Sequence, residues 1–257
     1  MKTFATFLFF SLVSLSSVMA QTMVDAKEII AKINRKESVS YQNATITGDL
    51  DLTNLANRKE VRDGNWGDTP HYLSVVDVPL SFKNCTFKGK FLAYRTENEE
   101  GKILKTDNIV HNANFSEAVT VENCQFEGDA TFKYSHFSQR AIFTENTFRN
   151  VALFKYAEFR NAADFSGSNF HGYADFKYTK FDESSAFQNA RFDRHADFKY
   201  TKFDESVNFQ KASFSGNTDF KYTKFPRGTR FDDARFSGFT DFKYTTLDGE
   251  KFSPRGR

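Results

Sequence analysis

The chain has 257 residues, with 35 lysines and arginines against 33 aspartates and glutamates, so its formal net charge is only +2. A chain this close to neutral has no bulk electrostatic attraction to nucleic acid or to an anionic surface, and we expect no nucleic-acid partner. The length would suit one domain or two, so the domain organisation has to come from the pattern of residues along the chain.

Residues 1–20 have the pattern of a secretory signal peptide. Lys2 supplies the positive start, Phe4 to Leu15 form an apolar stretch, and Val18-Met19-Ala20 provides small residues before the cleavage point. The apolar stretch is too short to span a bilayer comfortably, and no cysteine follows it to carry a lipid. The sequence therefore predicts an exported bacterial protein, periplasmic or secreted, without a transmembrane segment.

A short amphipathic helix is predicted over residues 25–35, within an N-terminal segment of residues 21–40. Asp25 and Glu28 have the spacing of a capping box. One face of the helix is apolar: Ala26, Ile29, Ile30 and Ile33. We expect this helix to cap the amino-terminal end of the fold, because the open end of a stack of strands exposes unpaired backbone. A helix that binds a partner is the alternative.

Residues 41–114 are predicted to form irregular first coils with two insertions. Ile46 to Leu55 has the pattern of a first coil, whereas Ala56 to Thr69 is polar and contains glycine, so we interpret it as a loop. The alternating pattern resumes at Val76, Phe82 and Phe87. A second insertion follows, in which NEEG (98–101) separates Phe91–Arg95 from Lys102–Thr106 and indicates a projecting hairpin.

Two cysteines lie in segments that align residue for residue, FKNCTFKG (82–89) and VENCQFEG (121–128). Cys85 and Cys124 are 39 residues apart, which is one 22-residue repeat plus about the length of the hairpin. They should therefore stack on adjacent coils with Cα atoms about 4.8 Å apart, a separation that a disulfide permits. Burial of both as small apolar residues is the other interpretation, and the sequence leaves the two open.

Residues 115–252 are dominated by a phenylalanine repeat. FKY recurs every 22 residues, at Phe132, Phe154, Phe176, Phe198, Phe220 and Phe242. Further phenylalanines lie between these at alternating gaps of five and six, and Leu247 and Phe252 continue the series. A small residue, often alanine, stands two positions before each aromatic, so the unit is small-x-Phe-x-x. Only the basic tail, residues 253–257, follows.

This unit predicts short strands with corners, and it excludes a helix. Gaps of five and six would spread the phenylalanines around a helix with 3.6 residues per turn. In a strand, residues two apart face the same way, so each phenylalanine and the small residue before it both point inward. Stacked coils of such strands form an all-β solenoid.

The small-x-Phe-x-x unit resembles the pentapeptide-repeat family, with ADF and ARF where that family has its alanine-polar-leucine/phenylalanine core. The resemblance implies a right-handed, four-sided parallel β-helix. One departure is that two of the four sides carry an additional residue, which gives a coil of 22. A three-sided helix with unequal sides is the alternative.

The repeat also creates a surface feature. Tyrosines fall two residues after the FKY phenylalanines, at a corner: Tyr134, Tyr156, Tyr178, Tyr200, Tyr222 and Tyr244. Lysines line up beside them: Lys133, Lys155, Lys177, Lys199, Lys221 and Lys243, with Lys180, Lys202 and Lys224 farther along. Asp175, Asp197, Asp219 and Asp241 should partly neutralise the first lysine column. A self-stacking ladder and a basic aromatic binding face are the two interpretations.

No catalytic constellation is recognisable, so we expect no enzyme activity, no cofactor and no metal. Stacked acidic pairs, Asp182-Glu183 and Asp204-Glu205, suggest a solvated corner more than a calcium site.

The sequence favours an exported structural or interaction module with an unidentified partner. The alternative is a protein that binds carbohydrate or a cell-envelope polymer through the tyrosine and lysine columns. A homodimer through Leu247 and Phe252 is also predicted, because the last coil should be uncovered.

Overall fold

A computed structural model describes residues 22–61, 71–98 and 108–254 of the chain. The signal peptide predicted for residues 1–20 lies outside these ranges. Within them the chain winds into coils with four straight sides, and the strands of successive coils pair in parallel to form four sheets. The predicted β-solenoid is confirmed, and the three-sided alternative is wrong.

We number the sides in the order in which a regular coil passes through them. Side I contains Leu50–Asp51, Phe91–Leu92, Ala130–Thr131, Ala152–Leu153, Ala174–Asp175, Ala196–Asp197, Thr218–Asp219 and Thr240–Asp241. Side II contains Lys59–Val61, His71–Val76, Tyr94–Asn98, Asn108–Phe115, His136–Phe137, Glu158–Phe159, Lys180–Phe181, Lys202–Phe203, Lys224–Phe225, Thr246–Leu247 and Glu250–Lys251.

The other two sides face these across the core. Side III contains Val39–Gln42, Leu80–Lys83, Val119–Glu122, Ala141–Ile142, Ala163–Asp164, Ser185–Ala186 and Val207–Asn208. Side IV contains Thr22–Asp25, Ala44–Thr47, Thr86–Phe87, Gln125–Phe126, Thr147–Phe148, Asn169–Phe170, Arg191–Phe192, Ser213–Phe214 and Arg235–Phe236.

The core consists of stacked phenylalanine columns, as the 22-residue spacing predicts. Phe154, Phe176, Phe198 and Phe220 are fully buried, and their ring centroids are 5.0 Å apart from each one to the next. Rings from neighbouring sides meet edge to face, for example Phe187 and Phe198 at 5.5 Å and 85°. Both arrangements suit the aromatic quadrupole, so one residue type fills the interior without voids.

The geometry of the corners explains why the gaps between phenylalanines alternate between five and six residues. Where a five-residue gap separates two phenylalanines, the chain makes a tight turn that contains a residue with positive φ, such as Tyr178 at 59° or Asn189 at 58°. The turn at Tyr178 closes with the Thr179 N–H donating to the Phe176 carbonyl at 3.0 Å. The additional residue of each six-residue gap lies at the other two corners, between sides II and III and between sides IV and I.

The predicted N-terminal helix is present and spans Ala26–Asn34. The Asp25 carboxylate caps it by accepting a hydrogen bond from the Lys27 N–H at 2.8 Å. Ala26, Ile29 and Ile33 are buried and belong to the same apolar cluster as the first phenylalanines. The helix thus packs on the core at the first coils, where the sequence placed a cap.

Both insertions contribute antiparallel strand pairs to side II. Lys59–Val61, which we predicted to be loop, pairs antiparallel with His71–Val76. Tyr94–Asn98 pairs antiparallel with Asn108–Phe115, and the predicted return strand Lys102–Thr106 lies outside the described residues. The register is set by the next coil, because Asn108–Phe115 also pairs in parallel with His71–Val76 and continues into side II.

These four strands form an extension of side II that we call the wing. Its inner strands bury His111, whose ring stacks on Tyr72 with centroids 5.1 Å apart. The Nε2 atom of His111 lies 3.5 Å from a carboxylate oxygen of Glu97. Burial, together with the charges of Arg95 and Arg58, lowers the pKa of His111 to about 4. The imidazole is therefore neutral at pH 7.

The regular coil ends at Leu247, earlier than the series to Phe252 indicated. Asp248 and Gly249 have positive φ values of 51° and 81°, and the chain reverses there. Glu250–Lys251 then pairs antiparallel with Thr246–Leu247. Phe252 folds back onto the last coil, with its ring 5.2 Å from that of Phe231. One edge and part of the core at this end are therefore covered.

Candidate functional site

The six tyrosines of the FKY repeats form one continuous stack at the corner between sides I and II. We call them, with the lysine before each one, the tyrosine–lysine ladder. From Tyr134 to Tyr244, adjacent ring centroids are 4.6–5.1 Å apart and the rings are nearly parallel. Tyr178 is 37% exposed, and Tyr156, Tyr200 and Tyr222 are similar. The predicted alignment of the tyrosines is therefore present.

The ring faces of the ladder are covered by the ladder itself. Each inner ring lies between two neighbouring rings, so its edge and hydroxyl group point outward while its faces do not. Tyr244 is 56% exposed because the stack ends there. At the other end, the ring of Tyr94 from the wing meets Tyr134 edge to face at 5.8 Å. Within the ladder, a ligand that stacks on an aromatic face would find such a face only at Tyr244.

The backbone at each tyrosine has a conformation that tyrosine does not favour. All six have φ values between 59° and 62°, in the left-handed region that costs an L-residue roughly 1–2 kcal/mol. The equivalent turns between sides III and IV hold Asn123, Glu145, Gly167, Asn189, Lys211 and Asp233, and four of these six are the glycine, asparagine or aspartate that tolerate this region. The backbone alone therefore does not explain tyrosine at six of six ladder positions.

The ladder lysines stand beside the rings. The Nζ atoms of Lys155, Lys177 and Lys199 each lie 5.3 Å from the centroid of the following tyrosine, within cation–π range. Lys133 and Lys243 do the same at 4.7 and 5.0 Å. Lys221 differs, since its Nζ lies 3.2 Å from Asp219 and 3.4 Å from Asp241.

The aspartates of side I do not neutralise the lysines as evenly as the sequence predicts. Their carboxylates turn back and accept hydrogen bonds of 2.8–2.9 Å from the backbone N–H of the lysine two residues later. Asp175 is nearly fully buried, and burial, together with the neighbouring carboxylates, raises the pKa of Asp197. Along the described ladder, Lys221 alone has a carboxylate at ion-pair distance. The aspartates mainly cap the turns.

The second lysine column belongs to side II. Lys180 and Lys202 are paired with carboxylates of their own side, at 2.7 Å to Asp182 and 2.8 Å to Asp204. These lysines repeat with the same spacing as the ladder lysines, but they lie on a different side of the coil. They therefore provide a matched set against which the ladder can be compared.

Sequence reasoning missed Tyr94. Its hydroxyl accepts a hydrogen bond from the Lys133 Nζ at 3.2 Å, and its ring closes the N-terminal end of the ladder. It lies in an insertion, outside the 22-residue period, so no periodic signal could identify it. Partial burial raises the pKa values of Tyr94, Tyr134 and Tyr156. These phenols therefore keep their protons at neutral pH.

Cys85 and Cys124 stack on adjacent coils, in the column that holds Ala44 before them and Asn146 after them. Both are buried thiols in this structure. The Cys85 N–H donates to the Cys124 Sγ at 3.2 Å, and the hydrogen bond between the two thiols lowers the pKa of Cys85 to about 7. The column otherwise holds small or polar residues, which fits the packing interpretation, and the disulfide stays a prediction.

Two searches of the described residues give negative results. Within residues 22–61, 71–98 and 108–254, no helix has the length and apolar character needed to cross a membrane. In the same ranges, no three histidine, cysteine, aspartate or glutamate side chains converge as metal ligands would.

Comparison with known proteins gives one match. A sequence profile of pentapeptide repeats, nine copies long, matches residues 154–202 and again 198–246. No curated protein and no solved structure matches the chain significantly. The matched residues are the regular coils that carry most of the ladder. The regular coils over residues 154–246, with four sides of small and aromatic inward residues, therefore match the pentapeptide-repeat family.

Proposed function

We propose that the protein is an exported interaction module without catalytic activity, and that the tyrosine–lysine ladder faces its partner. The pentapeptide-repeat fold suggests a structural or interaction role, since its rigid sides hold side chains at fixed intervals. The observation that carries the proposal is tyrosine in the left-handed conformation at every rung. Strain that persists at one site points to a use for that site.

A comparison of coils within the chain supports the same conclusion. On side IV, the outward strand position changes from coil to coil: Gln125, Thr147, Asn169, Arg191, Ser213 and Arg235. The ladder keeps lysine and tyrosine in all six of its coils. If repetition alone explained the ladder, side IV would be equally uniform.

The test removes the rings and keeps the turns. Asparagine tolerates positive φ, so Tyr178→Asn/Tyr200→Asn/Tyr222→Asn should leave the coils folded. We expect this variant to lose whatever the immobilised wild-type protein retains from the native envelope and secreted fractions. Tyr173→Asn, which removes a tyrosine from a different corner, should retain it. Equal retention by all three proteins would show that the ladder does not face the partner.

Export is a separate part of the proposal and is supported by residues 1–20 alone. Expression of the full chain followed by intact mass measurement tests it. A mature protein that begins at Gln21 is expected in the exported fraction. Full-length protein confined to the cytoplasm would contradict export.

The second candidate function is binding of a carbohydrate or a cell-envelope polymer along the ladder. The observation in its favour is a straight line of phenol edges and lysine ammonium groups at the coil spacing. A glycan array with the triple asparagine variant as control tests it. Selective binding by the wild type that the variant lacks is the expected result.

The predicted homodimer would bury the C-terminal end of the solenoid. Phe252 and the strand Glu250–Lys251 already cover part of that end. Phe239 is nevertheless 71% exposed, and Leu247 in the last coil is partly exposed. We propose that two copies meet there, and light scattering at micromolar concentration tests it. A monomer mass would exclude the dimer.

A further inference from the structure

We infer that the ligand of the ladder is a linear polyanion with one carboxylate per sugar ring, a polyuronate, extended parallel to the solenoid axis. This inference rests on the proposed function, because it requires the ladder to be the binding surface. It concerns the chemistry of the ligand, which neither the fold nor the family determines.

The outer layer of the ladder is cationic. The Nζ atoms of Lys155, Lys177 and Lys199 lie 5.3 Å from the centroids of phenol rings, and no carboxylate of the described residues lies within ion-pair distance of them. The aspartates beneath are turned toward the backbone. A lysine held beside an aromatic ring has already lost part of its freedom, so it loses less when it binds an anion.

The spacing of the rungs selects among polyanions. Rings of the ladder repeat at 4.6–5.1 Å. In an extended chain of pyranose rings linked through carbons 1 and 4, successive rings turn over, so the carboxylates on one face recur every second ring, which is close to the length of two rungs. Charges along one strand of duplex DNA repeat at about 3.4 Å. Same-side residues of an extended peptide repeat at about 6.7 Å. Either of these would lose register with the lysines within a few rungs.

The tyrosines exclude a neutral sugar as the main ligand. Stacking of a sugar on an aromatic ring needs an open face, and the inner faces of the ladder are covered by neighbouring rings. The outward edges instead offer phenol hydroxyls, which can donate to carboxylates and accept from sugar hydroxyls. A charged sugar chain uses both the hydroxyls and the ammonium groups.

Isothermal titration with polygalacturonate as the probe tests the inference. We expect saturable, salt-sensitive binding, with affinity that rises with oligomer length until the ladder is spanned. The fully methyl-esterified polymer should not bind, because it has lost its charge. Duplex DNA and polyglutamate should bind at least about tenfold more weakly, because their charges do not keep the register.

Two matched lysine variants locate the site. Lys155→Gln/Lys177→Gln/Lys199→Gln should weaken polygalacturonate binding by about tenfold or more, because it removes three charges that contact the polymer. Lys180→Gln/Lys202→Gln/Lys224→Gln removes the same charge from side II and should bind like the wild type. Equal loss in both variants, or equal binding of DNA or polyglutamate, would overturn the inference.

The outcome also separates this inference from the proposed function. If polygalacturonate does not bind, but the native partner is still lost in the triple asparagine variant, the inference is wrong and the ladder remains the partner-facing surface. If polygalacturonate binds and the triple lysine variant of the ladder does not weaken it, the polymer binds elsewhere and the inference is wrong. The proposed function fails only if the triple asparagine variant still retains the native partner.

Discussion

Replacement of Phe198 by alanine is the sharpest test of the core. Phe198 is fully buried at the centre of the regular coils. Its ring packs against those of Phe176, Phe187, Phe192, Phe209, Phe214 and Phe220. Removal of a buried aromatic side chain costs about 3–5 kcal/mol, and we expect the upper half of that range because the rigid coils cannot collapse into the cavity. For a protein of this size the melting temperature should fall by about 8–20 °C.

Phe242→Ala provides the matched control, because it makes the same change in the same column at the end of the solenoid. Its ring is only partly buried and packs against Phe220, Phe236 and Phe252. We expect roughly half the loss of Phe198→Ala, measured by thermal and chemical unfolding followed by circular dichroism. If Phe198→Ala melts within about a degree or two of the wild type, the inward assignment of the phenylalanines is wrong.

Three further predictions concern the ladder, the wing and the cysteines. Tyr178→Asn should change the unfolding free energy by less than about 2 kcal/mol, because lost stacking on two rings is offset by relief at φ 59°; a loss as large as that of Phe198→Ala would contradict this. The neutral His111, whose folded pKa is about 4 against an ordinary 6.5, should make the wing lose stability as pH falls from 6.5 to 4. Hydrogen exchange in the wing should show this loss, and His111→Phe should abolish it; a pH-independent wing would contradict the burial argument. Alkylation of exported protein under denaturing, non-reducing conditions, followed by mass spectrometry, should label neither Cys85 nor Cys124 if they form the predicted disulfide, and two labelled thiols would exclude it.

The regular coils could be predicted from the sequence because each of their signals repeats. A phenylalanine every five or six residues fixes which side chains face inward, and the 22-residue period fixes which ones stack. The sequence therefore predicts that Phe176 and Phe198 are neighbours in one stack. The same period placed Tyr178 and Tyr200 in one column.

The insertions could not be predicted in the same detail, because their register depends on a neighbouring coil. Nothing local to Asn108 marks it as the start of a strand, and its pairing follows from the long strand His71–Val76 beside it. The positive φ of the tyrosines could not be predicted either, because tyrosine is not a residue type that is typical of that conformation. The turn of the aspartates toward the backbone likewise needed coordinates, because a carboxylate beside a lysine ordinarily suggests an ion pair.

Because every coil has the same length, the length of the ladder is proportional to the number of coils. Each rung occupies the same place in its 22 residues, so deletion of residues 176–197 would join Asp175 directly to Phe198 without disturbing any neighbouring register. The shortened protein would lose one tyrosine and one lysine of the ladder and one layer of core, and its remaining coils would close over the gap. Duplication of the same residues would add one coil and one rung of the ladder. The reach of the ladder is therefore set by a whole number of coils, and a gene can adjust it one step at a time.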